Sequence, residues 1–127
     1  MVKNNTTRIT QRKGDVAVSR AVSTFTRLGY DVALPFTESA SYDLVVDIGR
    51  DLKKVQVRFA GNGEVDLRRI HSNSNGYVIK KPKAKSYDWL YVLDGEEREY
   101  LIKECPVGRR SIKPQSKHLI ENVSKKS

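Results

Sequence analysis

A single cysteine, Cys105, occurs among 127 residues, so the chain can assemble neither an internal disulfide framework nor a cysteine-based zinc site. A reducing, cytoplasmic setting is the expectation. Histidine is nearly as scarce. His71 lies in a Ser/Asn stretch and His118 in a basic tail, neither with a second His or Cys nearby, which reads as two surface residues rather than metal ligands. No run approaches the ~20 apolar residues of a membrane span, and the opening MVKNNTTRIT lacks the apolar centre of a signal peptide. Secretion and insertion are therefore not expected. Acid is in short supply too, with 15 Asp and Glu against 24 Lys and Arg and a net charge of +9. That balance suits binding driven by phosphate neutralisation, which puts DNA or RNA ahead of a merely solvated basic surface or an anionic lipid.

What remains has the size and composition of one compact domain. Residues 1–14 are polar and basic with hardly an apolar anchor, and read as a flexible arm. From Asp15 the residues Val18, Ala21, Val22, Phe25 and Leu28 recur at spacings of three and four. This predicts an amphipathic helix over 15–28 with Asp15 at its start, Val18 on its apolar stripe and Gly29 as its C-cap. Strands are expected at 30–34, ended by Pro35, and at 42–48, where Leu44, Val46 and Ile48 face one way and Asp43, Val45 and Asp47 the other. LKKVQVRFA alternates with period two and predicts a strand over 53–60, so Val55, Val57 and Phe59 face the core and Lys54, Gln56 and Arg58 form a polar row on the other face. A further strand is expected at 64–70, a mobile loop at HSNSNG, a hairpin around Asp94-Gly95, and a basic tail over 121–127. Together these predict an α/β domain over 15–120, with a central mixed β-sheet flanked by helices.

The polar row carries the chemistry. Asp43 and Gln56 lie on adjacent expected strands. If they share a face, a carboxylate, an amide oxygen and the carbonyl of Val57 can hold a hard cation such as Mg²⁺ or Mn²⁺. Such a cation would activate water against a phosphate. Arg58 beside them adds a fixed positive fork for phosphate oxygens. By spacing alone these are common patterns, and a loop-ending Asp43 with a half-exposed Gln56 and a surface Arg58 accounts for them better.

The order and spacing of several pieces change that balance. Lys13-Gly14-Asp15, Gly29-Tyr30, Pro35, the run from Tyr42 to Asp47, and Val55-Gln56-Val57 together resemble the core of the PD-(D/E)xK nucleases associated with group I introns, a family that includes homing endonucleases. The resemblance covers roughly residues 13–60 and implies a restriction-endonuclease-like core. It implies Asp43 as the metal-binding acid and Gln56 standing where many relatives carry Glu. Two positions depart from the pattern: Val18 stands where the family has a helical Glu, and Arg58 where it has a lysine. The resemblance also implies a homodimer or homotetramer that brings two sites to one duplex.

Lys13, Lys54, Arg68, Arg69, Lys80, Lys81, Lys83 and Lys85 are the candidate contacts to DNA, and Tyr77, Tyr87 and Trp89 the candidate stacking platforms, although core positions suit the aromatics better. Cys105 reads as a half-buried structural thiol. Three functions stay open at this point: a divalent-metal-dependent DNA endonuclease acting on duplex or branched DNA, a degenerate relative that binds DNA without cutting, and a basic RNA-binding module.

Overall fold

A computed structural model describes residues 5–37, 39–73, 76–80, 83 and 86–120. Helix α1, Asn5–Arg27, is followed by β1 Asp31–Ala33, β2 Leu44–Asp47, β3 Leu52–Ala60, β4 Val65–Asp66, β5 Arg69–Asn73, β6 Gly76–Lys80, β7 Trp89–Asp94, β8 Glu99–Ile102 and β9 Ser111–Ile112. A 3₁₀ turn at Ser116–His118 closes the described chain.

The helix starts well before Asp15, so the expected arm is helical from Asn5 onward. Ile9 through Val16 are all exposed, and a helix half that buries no stripe leaves no apolar period to read. Its C-terminus is as expected. Tyr30 N–H donates to Phe25 O at 3.1 Å and Gly29 N–H to Thr26 O at 3.0 Å, with Gly29 at φ 94°, the paired bonds of a Schellman cap. Ala17, Ala21, Thr24 and Phe25 are the buried residues of the helix, whereas Val18, Val22 and Leu28 are only partly covered. The buried stripe is thus rotated away from Val18, which the periodicity had placed on it.

Five strands form the central sheet in the order β1-β2-β3-β7-β8. The pairing is antiparallel except for β3 with β7, which is parallel with Val55 opposite Trp89 and Val57 opposite Tyr91. Helix α1 covers one face over Leu44, Val46, Val55, Val57, Trp89, Tyr91 and Leu93. The other face is covered as well: Ala60, Leu90, Val92 and Ile102 pack with Val65, Leu67 and Tyr87. Every residue of β7 is therefore buried, as befits a central strand covered on both sides.

Three expectations are overturned here. The strand at 64–70 does not join the central sheet; Val65 and Asp66 pair with β9, and the chain then leaves to form a separate β5–β6 hairpin. Of the expected HSNSNG loop, His71, Ser72, Asn73 and Gly76 lie in paired strands instead, and Ser74 and Asn75 lie outside the described residues. The polar row on β3 is also not a solvent face, since Gln56 is 5% exposed.

One polar cluster locks the helix to the late hairpin. Glu99 accepts hydrogen bonds from the Thr24 hydroxyl, from Tyr91 Oη at 2.7 Å and from Arg20 Nη2 at 3.2 Å. Burial, reinforced by Glu99, pushes the Tyr91 phenol well above its ordinary range. At the far end of the same hairpin, a Cβ on Gly95 would lie 2.8 Å from the Gly61 carbonyl oxygen, so the β3–β4 turn and the β7–β8 turn meet only because position 95 has no side chain.

Candidate active site

Strands β2 and β3 pair as far as Leu44 opposite Val55, with Asp43 N–H donating to Val55 O at 2.8 Å. Beyond that point β3 continues to Ala60 along β7, and β2 is no longer beside it. A backbone edge opens at this fork, and the Asp43 side chain fills it. Oδ2 of Asp43 accepts Val57 N–H at 2.8 Å and Gln56 Nε2 at 2.6 Å. The N–H and C=O of one strand residue lie on the same edge, so the carbonyl of Val57 faces the fork too. Arg58 completes the group, its Nη1 donating to Val57 O and its Nε to Asp66 O, each at 3.3 Å.

Asp43, Gln56, Val57 and Arg58 are thus brought together. A buried amide must find a hydrogen-bond partner or forfeit about 1–3 kcal/mol, and Asp43 is the partner that keeps Gln56 under the second layer. The donor chemistry suits a hard cation. It offers one carboxylate, one amide whose oxygen can be presented by a χ3 turn, and one carbonyl, all oxygen ligands. Among the described residues no three His, Cys, Asp or Glu side chains gather as a metal site.

The cleft in front of Asp43 encloses about 350 Å³, and Val18 lines it together with Leu34, Pro35, Thr37 and Tyr42. Val18 therefore borders the same space as Asp43, whereas the helical pattern alone made it a plain core residue. The adjoining segment went unread in the sequence: Leu34, which lines the cleft, is 61% exposed, and Phe36 beyond Pro35 is fully exposed. An apolar residue on either side of Pro35 was the available signal.

The candidate DNA contacts are dispersed. Lys13 is exposed on α1, its Nζ 5.4 Å from the Phe59 ring, and Lys54 is half-buried with Nζ 5.6 Å from the Tyr42 ring. Arg68 is committed to Asp66, with Nε–Oδ1 at 3.0 Å and Nη2–Oδ2 at 2.8 Å. Arg69 and Lys80 stand opposite each other at one end of the β5–β6 hairpin, Lys83 is exposed, and Lys81 and Lys85 lie outside the described residues. Tyr87 and Trp89 are buried in the two cores, not available for stacking. The side chain of Cys105 is half-buried, its thiol donating to Lys83 O at 3.5 Å, and His118 Nδ1 accepts Gln115 N–H at 3.1 Å.

The bidentate hydrogen bond from Arg68 holds the Asp66 carboxyl down at about 2, against an ordinary 3.8. A carboxylate with a depressed folded-state pKa stabilises the fold above its unfolded pKa, and the contribution disappears as pH falls through the folded value. Asp66→Asn is therefore expected to lower stability near neutrality by less than about 1 kcal/mol, because the pair is largely solvated. Urea unfolding should show that deficit shrinking between about pH 4 and pH 2.

A family model described as PD-(D/E)XK endonuclease matches residues 8–118. The chain belongs to this family. A solved bacterial homing endonuclease, I-Ssp6803I, superposes with a TM-score of 0.72 at 27% sequence identity, covering 84% of this chain and 78% of that one. No curated protein sequence matches the chain. In this PD-(D/E)XK endonuclease family member the mixed five-stranded sheet with α1 is a restriction-endonuclease-like core in an α/β fold, as the sequence implied, though a single α-helix flanks the sheet among the described residues. No described helix is long and apolar enough to cross a membrane.

Proposed function

We propose that this PD-(D/E)XK chain is a DNA endonuclease that hydrolyses phosphodiester bonds at the β2–β3 fork. The observation that carries the reading is the junction of Asp43, Gln56 and the backbone edge of Val57. Asp43, the Gln56 side-chain oxygen and the Val57 carbonyl would hold one divalent cation, Mg²⁺ or Mn²⁺. When bound, that ion polarises a phosphate oxygen and makes water acidic enough to attack. Arg58 remains protonated at any working pH, so it supplies fixed charge to the scissile phosphate and cannot act as the general base. Lys13, Lys54 and the basic residues from Arg68 to Lys85 attract the duplex, and the subunits pair as a homodimer or homotetramer to bring two forks to one target.

A second reading, a nuclease fold that binds DNA without cutting, is favoured by one observation. Val18 borders the cleft where a second acid would add charge, leaving Asp43 as the one carboxylate at the fork among the described residues. The RNA-binding alternative calls for an exposed aromatic sheet face, and Trp89, Tyr91 and Tyr87 are buried instead.

Supercoiled plasmid and a four-way junction incubated with the protein separate the first two readings. Nicking or linearisation with Mg²⁺ or Mn²⁺ and none with EDTA is expected, while duplex binding persists in EDTA and weakens steeply with salt. Cleavage indifferent to EDTA would contradict the metal assignment. Binding without cleavage of either substrate under every metal would favour the non-cutting reading.

A further inference from the structure

The segment from Leu34 to Thr37 leaves an aromatic side chain in water beside the candidate active site. Leu34 is 61% exposed and Phe36 fully exposed, although phenylalanine is among the side chains most often buried in a folded chain. Among the exposed large apolar residues described, Phe36 is the aromatic one. Its chain neighbours Pro35 and Thr37 both line the cleft that Asp43 and Val18 border. Adjacent Cα atoms lie about 3.8 Å apart, so Phe36 stands at the rim of that cleft. Pro35 locks its own φ and biases Leu34 toward extended backbone. The rim is thereby stiffened, and little chain freedom is lost when a partner stacks on it.

Size and charge indicate the partner. Leu34 and Phe36 fall far short of the roughly 800 Å² per partner that a stable protein interface covers, since one aromatic side chain buries about 150–250 Å². A second copy would also bring another net charge of +9 to the same place, and like charge opposes it. A polyanion is drawn to such a chain instead, and every nucleobase presents a flat π-face on which an aromatic ring can stack. Tyr42 lines the same cleft with Lys54 Nζ 5.6 Å from its ring, which keeps a positive charge close by.

We propose that Phe36 is a wedge that stacks on one nucleobase lifted out of the DNA helix, next to the phosphate held at the fork. This role rests on the DNA reading above. Within an intact duplex both faces of a base are covered by its neighbours, so an apolar side chain meets one only where the stack opens. Opening costs least at a base that is already unpaired. Duplexes with a local defect or a branch are therefore the substrate class that this rim favours.

The full chain, in EDTA, is titrated against two fluorescein-labelled duplexes of one mixed sequence, the first fully paired and the second carrying a single unpaired thymine. Wild type is expected to bind the second roughly 10-fold more tightly. Phe36→Ala and Phe36→Leu should bind both duplexes alike, at the affinity wild type shows for the paired one, with the salt slope unchanged because no charge is lost. Phe36→Trp should keep the preference, and the emission of the new tryptophan should be quenched more strongly by the unpaired-base duplex than by the paired one. All three variants should keep the wild-type melting curve, since position 36 is fully exposed. Absence of a preference in wild type, or its retention in Phe36→Ala, overturns the wedge. Retention in Phe36→Leu shows that apolar contact suffices and overturns the stacking. Sedimentation of wild type as an oligomer and of Phe36→Ala as a monomer would assign the rim to a second copy, which also overturns the wedge. Wild-type protein that binds neither duplex is a separate result, which removes the DNA reading itself and the wedge with it.

Discussion

Asp43→Asn is expected to reduce single-turnover cleavage by at least about 100-fold, equivalent to ~3 kcal/mol of transition-state stabilisation. The expectation follows from what the substitution leaves in place. An asparagine oxygen can still accept Val57 N–H, so the fork keeps the backbone hydrogen bond that Asp43 makes at 2.8 Å, and the melting temperature should move only slightly. Gln56 can turn its amide to suit the new neighbour, because its two ends exchange roles by rotation about one bond. What disappears is the only formal negative charge among the proposed ligands. Mg²⁺ gives up its waters reluctantly, and an all-neutral set of amide and carbonyl oxygens offers little to replace them. Duplex binding in EDTA should stay within about twofold of wild type or tighten slightly, since an acid has been removed from a basic surface. Cleavage rates measured beside anisotropy titrations check both halves. Cleavage at the wild-type rate would place the chemistry somewhere other than the fork.

Val18→Glu is expected to act in the opposite direction on the metal. Val18 lines the cleft that Asp43 opens into and is only partly covered by the helix-side core, so a longer acid there has somewhere to go. Without metal the new carboxylate faces Asp43 and loses some apolar packing. Like charges sharing one site disfavour ionisation of both, and the variant should be less stable than wild type by about 1–2 kcal/mol, near the centre of the range for single substitutions. With Mn²⁺ the repulsion becomes a second anionic ligand. Affinity should rise roughly 10-fold, about 1.4 kcal/mol, and the stability deficit should shrink as the ion saturates the folded state. Calorimetric titration with Mn²⁺ gives the affinity, and melting with and without the ion gives the deficit. Unchanged affinity would mean that position 18 borders the cleft without reaching the cation.

Much of this site was legible because strand chemistry is local. The period-two alternation of LKKVQVRFA located Gln56 and Arg58 on one face of β3, and the order of Asp43 before the apolar run Leu44-Val45-Val46 located it at the entry to β2. What could not be read was the second cover. Val65 and Leu67 from one segment, Tyr87 from a second and Ile112 from a third gather over the far face of the sheet, and such non-local packing leaves no period in any one of them. Gln56 consequently looked half-exposed and is buried.

The helix failed in a complementary way. Its first half is exposed and so had no stripe, and its second half turned the stripe toward Ala17 and Thr24, placing Val18 at the margin. Two alanines let the helix sit close to the sheet, and small residues carry weak hydrophobic signals. The β5–β6 hairpin was missed although Asn75-Gly76 is a strong hairpin dipeptide in sequence terms. The polar letters around it outweighed it.

The fold and the proposed chemistry meet at the point where β2 ends and β3 continues. A sheet whose neighbours all continued together would consume the backbone edge of Val57 in strand pairing. Because β2 begins only at Leu44, that edge is left to a side chain, and Asp43 is the residue in position to take it. The same geometry places Arg58 against Val57 O, and Asp66 O holds its other end. The β3–β4 turn thus fixes the direction of the guanidinium.

The most direct test of the fork as a cation site needs no knowledge of the DNA target. In an amide NMR spectrum titrated with substoichiometric Mn²⁺, paramagnetic broadening should appear first at the Gln56 side-chain amide and the backbone N–H groups of Val57 and Leu44, and should be absent in Asp43→Asn. Broadening that begins instead around Asp66 or Asp94, and survives that substitution, would contradict the account.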